Sequence, residues 1–214
     1  MITRRNLLVG VSAIAIVTAI AGADALLAPA LAQGATADLL VPPPLGDRAL
    51  GKEDAPVTIV EYASMTCPHC AQFHEKTYPE LKKRYIDTGK VRFIFREFPL
   101  DSLAAGAAML ARCADQSKFF PLIETLFQQQ PKWAVEKPIP PLLAIAKQAG
   151  FSEQSFNACL SDQKMLEAMQ SEQRRAADKF GVNSTPTLFI NGKMQKGGSS
   201  IDDLAKIIDP LLKS

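Results

Sequence analysis

Residues 67–70 read Cys67-Pro68-His69-Cys70, and they constrain the chain more than any other segment. Two thiols three positions apart lie on one side of the first turn of a helix. A small disulfide ring can open and close there with little backbone movement. The same spacing is also half of a common zinc site. The flanking sequence favours the redox reading: the apolar run Val57-Thr58-Ile59-Val60 precedes the motif and an amphipathic helical stretch follows it. A strand that delivers a Cys-x-x-Cys to the start of a helix is the setting of a redox-active dithiol.

The compartment bears on that chemistry. Thr3-Arg4-Arg5-Asn6 is a short basic start, Leu7 to Ala23 is apolar, and Pro29-Ala30-Leu31-Ala32 ends in a small-x-small pattern. This is the pattern of a secretory signal over 1–32, cleaved after Ala32. The alternative is a retained membrane anchor, but the apolar run is slightly short for a span and Asp24 follows it closely. Arg4-Arg5 followed by Asn6-Leu7-Leu8 also resembles a twin-arginine signal, so both the general and the twin-arginine export routes stay open. Export implies an oxidising compartment, the periplasm, where disulfides persist. The four cysteines all lie beyond the signal, and an even number allows two bridges in three connectivities. The local Cys67–Cys70 pair leaves Cys113 and Cys159. A bridge across that long loop would contribute on the order of 4 kcal/mol. The alternative is two separate buried thiols.

With 214 residues, 47% of them hydrophobic, the chain can bury the core of one globular domain. A net charge of only +2 and the absence of a long basic block exclude a nucleic-acid reading. Residues 33–50, with Pro42-Pro43-Pro44, read as an extended lead-in, and 51–214 as the folded domain. Val57 to Ala63 is a strand apolar enough to be buried on both faces. Cys67 to about Thr88 is a helix with Phe73, Tyr78, Leu81 and Tyr85 near one face, kinked at Pro79 and stopped by Gly89. Val91 to Phe95 is a second strand, parallel to the first through that helical crossover. From about 103 to 181 the periodicity is helical throughout, an inserted helical subdomain in which Ser152 caps one helix. Thr185 to Ile190 is the third strand, Asn191-Gly192 the hairpin turn, and Lys193 to Lys196 the return strand. A final helix capped by Ser200 carries Ile201, Leu204, Ile208 and Leu211 inward. The fold class is α/β, a mixed central sheet flanked by helices.

The attacking species in disulfide exchange is the thiolate. Cys67 begins a helix, where free N–H groups and the helix dipole favour its negative charge. His69 can direct a hydrogen bond or positive charge toward the Cys67 sulfur, and Pro68 fixes the first turn. Stabilising the ionised, reduced form makes the disulfide a stronger oxidant. Cys70, one turn in, is expected to be more buried and to act as the resolving thiol. Glu61 interrupts the apolar strand six residues before Cys67. It is either a buried carboxylate that relays a proton to Cys70 or a strand-end glutamate reaching solvent. His74 reads as a helix-surface residue without a role. Composition alone predicts a trans Thr185-Pro186 bond.

Cys67-Pro68-His69-Cys70, Glu61 six residues upstream, the helical insertion ahead of Thr185-Pro186, and the closing hairpin and helix together resemble the thioredoxin superfamily. Within it they resemble the DsbA-like thiol:disulfide oxidoreductases. The resemblance implies the thioredoxin fold over roughly 50–213, with Pro186 cis and packed beside Cys67. Thr185 would offer backbone hydrogen bonds to an unfolded client strand by β-augmentation. It also implies transfer of a disulfide to newly exported proteins through a mixed disulfide, reoxidation by a DsbB-like membrane partner, and no cofactor. Thr185 and the Cys113–Cys159 pair depart from the best-known members.

Three other readings compete. An isomerase or reductase of the DsbC or DsbG kind would carry a dimerisation domain ahead of the fold. The short stretch after the expected cleavage point argues instead for a monomer. A metal module would use Cys67, Cys70, Cys113 and Cys159 as four zinc ligands. A holdase-like chaperone would bind clients without its thiols.

Overall fold

The computed structural model describes residues 37–197 and 200–213. The expected signal segment, its cleavage point and residues 33–36 lie outside the described residues. At the centre, β2 (Val57–Ala63) and β3 (Val91–Glu97) run parallel, with Val57 opposite Val91 and Glu61 opposite Phe95. β4 (Thr187–Ile190) pairs antiparallel with β2, and β5 (Lys193–Lys196) pairs antiparallel with β4. β2 is buried along nearly its whole length, as a central strand covered on both faces must be.

The lead-in is not extended throughout. Residues 37–40 form a short helix, α1, and Arg48–Leu50 form an edge strand, β1, antiparallel to β3. The sheet order is therefore β1-β3-β2-β4-β5. Gly51, at φ +86°, turns the chain out of β1, and a Cβ there would run into the Val91 carbonyl oxygen. Two buried arginines hold the lead-in down. Arg96 donates to Asp47, the Leu39 carbonyl and the Tyr62 hydroxyl. Arg112 donates to both oxygens of Glu97 and to the Leu45 and Gly46 carbonyls.

The crossover from β2 to β3 is broken where Pro79 removes a backbone donor. α2 (Pro68–Lys76) ends at Thr77, α3 (Tyr78–Leu81) follows, and Lys82–Ile86 complete the crossover as a π-helical segment. Beyond β3 the insertion begins at α4 (Ser102–Cys113), whose cap Asp101 accepts from the Ala104 N–H at 2.7 Å. It continues through α5 (Phe119–Gln128), α6 (Gln130–Trp133), α7 (Ile139–Gln148), α8 (Glu153–Leu160) and α9 (Gln163–Phe180). Gly181, at φ +68°, ends α9 in the left-handed conformation that glycine adopts freely. Cys113 at the end of α4 is joined to Cys159 of α8, with Cα atoms 6.1 Å apart. The last helix, α10 (Ile201–Leu211), buries Leu204 and Ile208 fully, while Ile201 and Leu211 are only half-buried.

The main core packs the α2 face of the sheet against the insertion and α10. A smaller cluster of Leu39, Val60, Tyr62, Ile94, Ala176 and Phe189 packs the other face against α9. The result is the mixed sheet flanked by helices, with a helical insertion, that the sequence resemblance implies.

Candidate active site

Cys67 is the N-cap of α2, in extended conformation, with Pro68 at the first helical position. Its sulfur therefore sits where unpaired N–H groups and the helix dipole favour an anion. Cys67 and Cys70 are free thiols here, and both are buried, Cys70 completely. A hydrogen bond from the Cys70 thiol is the largest influence on Cys67. Burial opposes it, while the Thr185 side chain and the backbone N–H groups of Cys70 and His69 reinforce it. The net effect holds the Cys67 thiol down at about 5. Burial, the bond to Cys67 and the charge of Glu61 push the Cys70 thiol the opposite way, far above an ordinary thiol. One sulfur is built to be an anion and its neighbour to keep its proton, which is the division of labour of an attacking and a resolving thiol.

The Thr185–Pro186 bond is cis, as the resemblance implied and composition did not. β4 starts only at Thr187, because Pro186 has no donor for the ladder. Thr185 and Pro186 instead form a buried loop against the dithiol, where the Cys67 thiol donates to the Thr185 carbonyl at 3.3 Å. Pro68 and His69 are exposed at the helix start. The His69 imidazole lines a groove with Gln72, Lys76 and Ile201, and the residue acts on Cys67 through its backbone N–H.

Glu61 does not reach solvent. It lies fully buried in the middle of the central strand, and its Oε2 is 2.9 Å from His74 Nε2. His74 corrects the expectation of a surface histidine: it is buried too. It stands four residues after Cys70 on the same inner face of α2, stacked on Phe127 with ring centroids 4.3 Å apart. The i, i+4 spacing from Cys70 was the signal that could have found it.

Sequence reasoning also missed two anchors. Gln130 of α6 donates from Nε2 to the Met65 carbonyl at 2.7 Å and to the Cys67 carbonyl at 3.0 Å. Asp101, the cap of α4, also accepts from the Thr66 hydroxyl at 2.6 Å. The insertion thus fixes the loop that carries Cys67 from two sides. The four sulfurs do not form one cluster, since Cys113 and Cys159 bond to each other. Among the described residues no group of three or more side chains could hold a metal ion.

An ionisable sulfur at a helix N-terminus, a proton-retaining partner one turn on and a cis-proline loop against them define a thiol–disulfide exchange site on a thioredoxin-like sheet. Comparison with known proteins agrees. The thioredoxin family model described as "Thioredoxin" matches residues 45–210. The chain is 37% identical over 169 residues to a provisionally named protein-disulfide oxidoreductase of Rickettsia felis, covering 78% of this chain and 60% of that protein. It thus spans less than two thirds of that relative's length. It is 31% identical over 176 residues to disulfide bond formation protein D of Bacillus subtilis, covering 78% of each. The crystal structure of Wolbachia pipientis alpha-DsbA1 superposes with a TM-score of 0.77 at 33% identity, covering 83% of this chain and 96% of that one. The chain belongs to the thioredoxin family, among its DsbA-like thiol:disulfide oxidoreductases. Among the described residues no helix is long and apolar enough to cross a membrane.

Proposed function

We propose that the chain is a monomeric periplasmic enzyme that donates disulfide bonds to exported proteins as they fold. The observation that carries this reading is the opposite treatment of two adjacent sulfurs, Cys67 held down at about 5 and Cys70 pushed up. Lowering the thiol acidity constant by one unit favours the thiolate by about 1.4 kcal/mol, and whatever stabilises the reduced form makes the disulfide more oxidising.

In the oxidised enzyme a client thiolate attacks Cys67 Sγ. The Cys67–Cys70 bond breaks, and Cys70 leaves with the electron pair and takes up a proton relayed by Glu61. The client's second thiolate then attacks the client sulfur of the mixed disulfide. Cys67 departs as its stabilised thiolate, the client gains a disulfide, and the enzyme is reduced by two electrons. Thr185 and Pro186 hold the client backbone beside Cys67 as an added strand. A DsbB-like membrane partner takes the two electrons and restores the Cys67–Cys70 bond. The signal-like start of the sequence and the Cys113–Cys159 bridge support an oxidising compartment.

The test is equilibration of the full chain with glutathione, together with oxidation of a reduced two-cysteine peptide. An oxidising couple with stoichiometric peptide oxidation, abolished in Cys67→Ala, is expected. A reducing couple like that of a thioredoxin, with no peptide oxidation, would overturn the proposal.

A further inference from the structure

His74 is the one buried histidine among the described residues, and the exchange reaction outlined above gives it no task. Its Nε2 lies 2.9 Å from Glu61 Oε2, with the two side chains 2% and 0% exposed. Phe127 stacks on one face of the ring, Tyr78 lies 4.8 Å from it, and the edges of Phe73 and Phe95 close the box. The ring cannot swing away, so Oε2 is fixed. Glu61 Oε1 is buried and has no hydrogen-bond partner. A buried carboxylate oxygen without a partner is costly unless it has another use. Cys70 lies on the same inner face of α2 as His74, one turn earlier, and feels the charge of Glu61.

We infer that His74 is the positioning residue of the proton relay: its imidazole clamps Oε2 of Glu61 and leaves Oε1 to exchange a proton with the Cys70 sulfur. The inference rests on the thiol-exchange reading. When a client thiolate opens the Cys67–Cys70 bond, the electron pair goes to Cys70 Sγ and the proton comes from the Glu61–His74 pair, which is recharged from solvent. In reoxidation the same proton returns from Cys70 to the pair. The titratable groups that face the pair are Cys70 on α2 and Tyr78 on α3, both of which feel the charge of Glu61. Glu124 of α5 and Asp87 act in turn on Tyr78. β3 and β4 contribute apolar neighbours, Phe93, Phe95 and Leu188, to the buried space around it.

The clamp is separable from mere packing because phenylalanine fills the aromatic box without a donor, while glutamine restores the donor without the ring. The experiment follows oxidation of a reduced two-cysteine peptide by the oxidised full chain from pH 5 to 9, corrected for the peptide's thiolate fraction. The inflection in the corrected wild-type profile is the reference for each variant. Glu61→Gln removes the inflection and slows the reaction roughly tenfold or more. His74→Phe leaves a buried carboxylate without a partner, which favours its protonated form, so the inflection moves up by about one pH unit or more. His74→Gln restores the wild-type profile. An unmoved inflection in His74→Phe, or a Gln variant that behaves like Phe, would overturn the clamp.

A second measurement needs no turnover, so failure of the oxidase reading cannot be mistaken for failure of this one. In Cys67→Ser protein, Cys70 alkylation at pH 8 is expected to become several-fold faster on adding His74→Phe. It should become equally fast on adding Glu61→Gln, with no further change when both are present. Additive effects of the two substitutions would contradict coupling through a single carboxylate.

Discussion

At the scale of single residues, the acidity of Cys67 makes stability depend on pH in a redox-specific way. Its folded value near 5 lies below the ordinary thiol value of 9.0. A depressed acid adds stability that is complete above its unfolded value and lost as pH falls through its folded value. Cys70 is raised, so its contribution is present below the ordinary thiol value and fades only at high pH. Of the two thiols, therefore, only Cys67 changes its contribution between pH 5 and 8, and only in the reduced protein. Urea titrations of reduced and oxidised protein at pH 5 and pH 8 are expected to show the reduced form gaining stability relative to the oxidised form as pH rises. The gain should be roughly 2 kcal/mol after discounting for solvent screening. A difference that shrinks with pH would contradict the assignment. Cys67, Cys70 and Pro68 were legible because they occupy four consecutive letters with a strand before and a helix after. His74 and Gln130 were not. A histidine on a helix reads as polar surface until the facing carboxylate is known, and the partners of Gln130 are carbonyls 65 and 63 residues away in sequence.

At the scale of elements, the strands and helices with strong periodicity matched the reading, and the departures have local causes. β1 is three residues with an arginine at its start, too short to show alternation, and it forms because β3 offers an open edge. The crossover helix stops and restarts at Thr77 because Pro79 lacks a donor. The link between α4 and α8 is the Cys113–Cys159 bond, which spans 46 residues. Closing a loop of that length restricts the unfolded chain by an amount worth on the order of 4 kcal/mol. Replacing both cysteines by serine is expected to lower unfolding stability by about that much in denaturant titrations while leaving the Cys67 thiol acidic. Loss of Cys67 acidity in that variant would mean that the bridge shapes the site and does more than brace the insertion.

At the scale of the molecule, the insertion, the sheet and the lead-in are tied by buried charge. Arg112 on α4 grips Glu97 of β3 at 2.6 and 2.8 Å and holds the Leu45 and Gly46 carbonyls with its remaining nitrogen. Both side chains are almost fully buried. Arg112→Met alone strands a buried carboxylate and is expected to cost about 3–5 kcal/mol. The double change Arg112→Met with Glu97→Leu should cost much less, read by thermal or denaturant unfolding; equal losses would show that the pair is not isolated from solvent. None of this was visible in the sequence, because the partners of Arg96 and Arg112 lie on elements far apart along the chain.

The site depends on that frame, since Gln130 and Asp101 of the insertion hold the Cys67 loop at the head of α2. The most direct test of the whole account is the rate of Cys67 alkylation in the reduced full chain as a function of pH. A midpoint near pH 5 is expected, with Cys70 unreactive throughout the range. A midpoint near the free-thiol value of about 8.5 would contradict it.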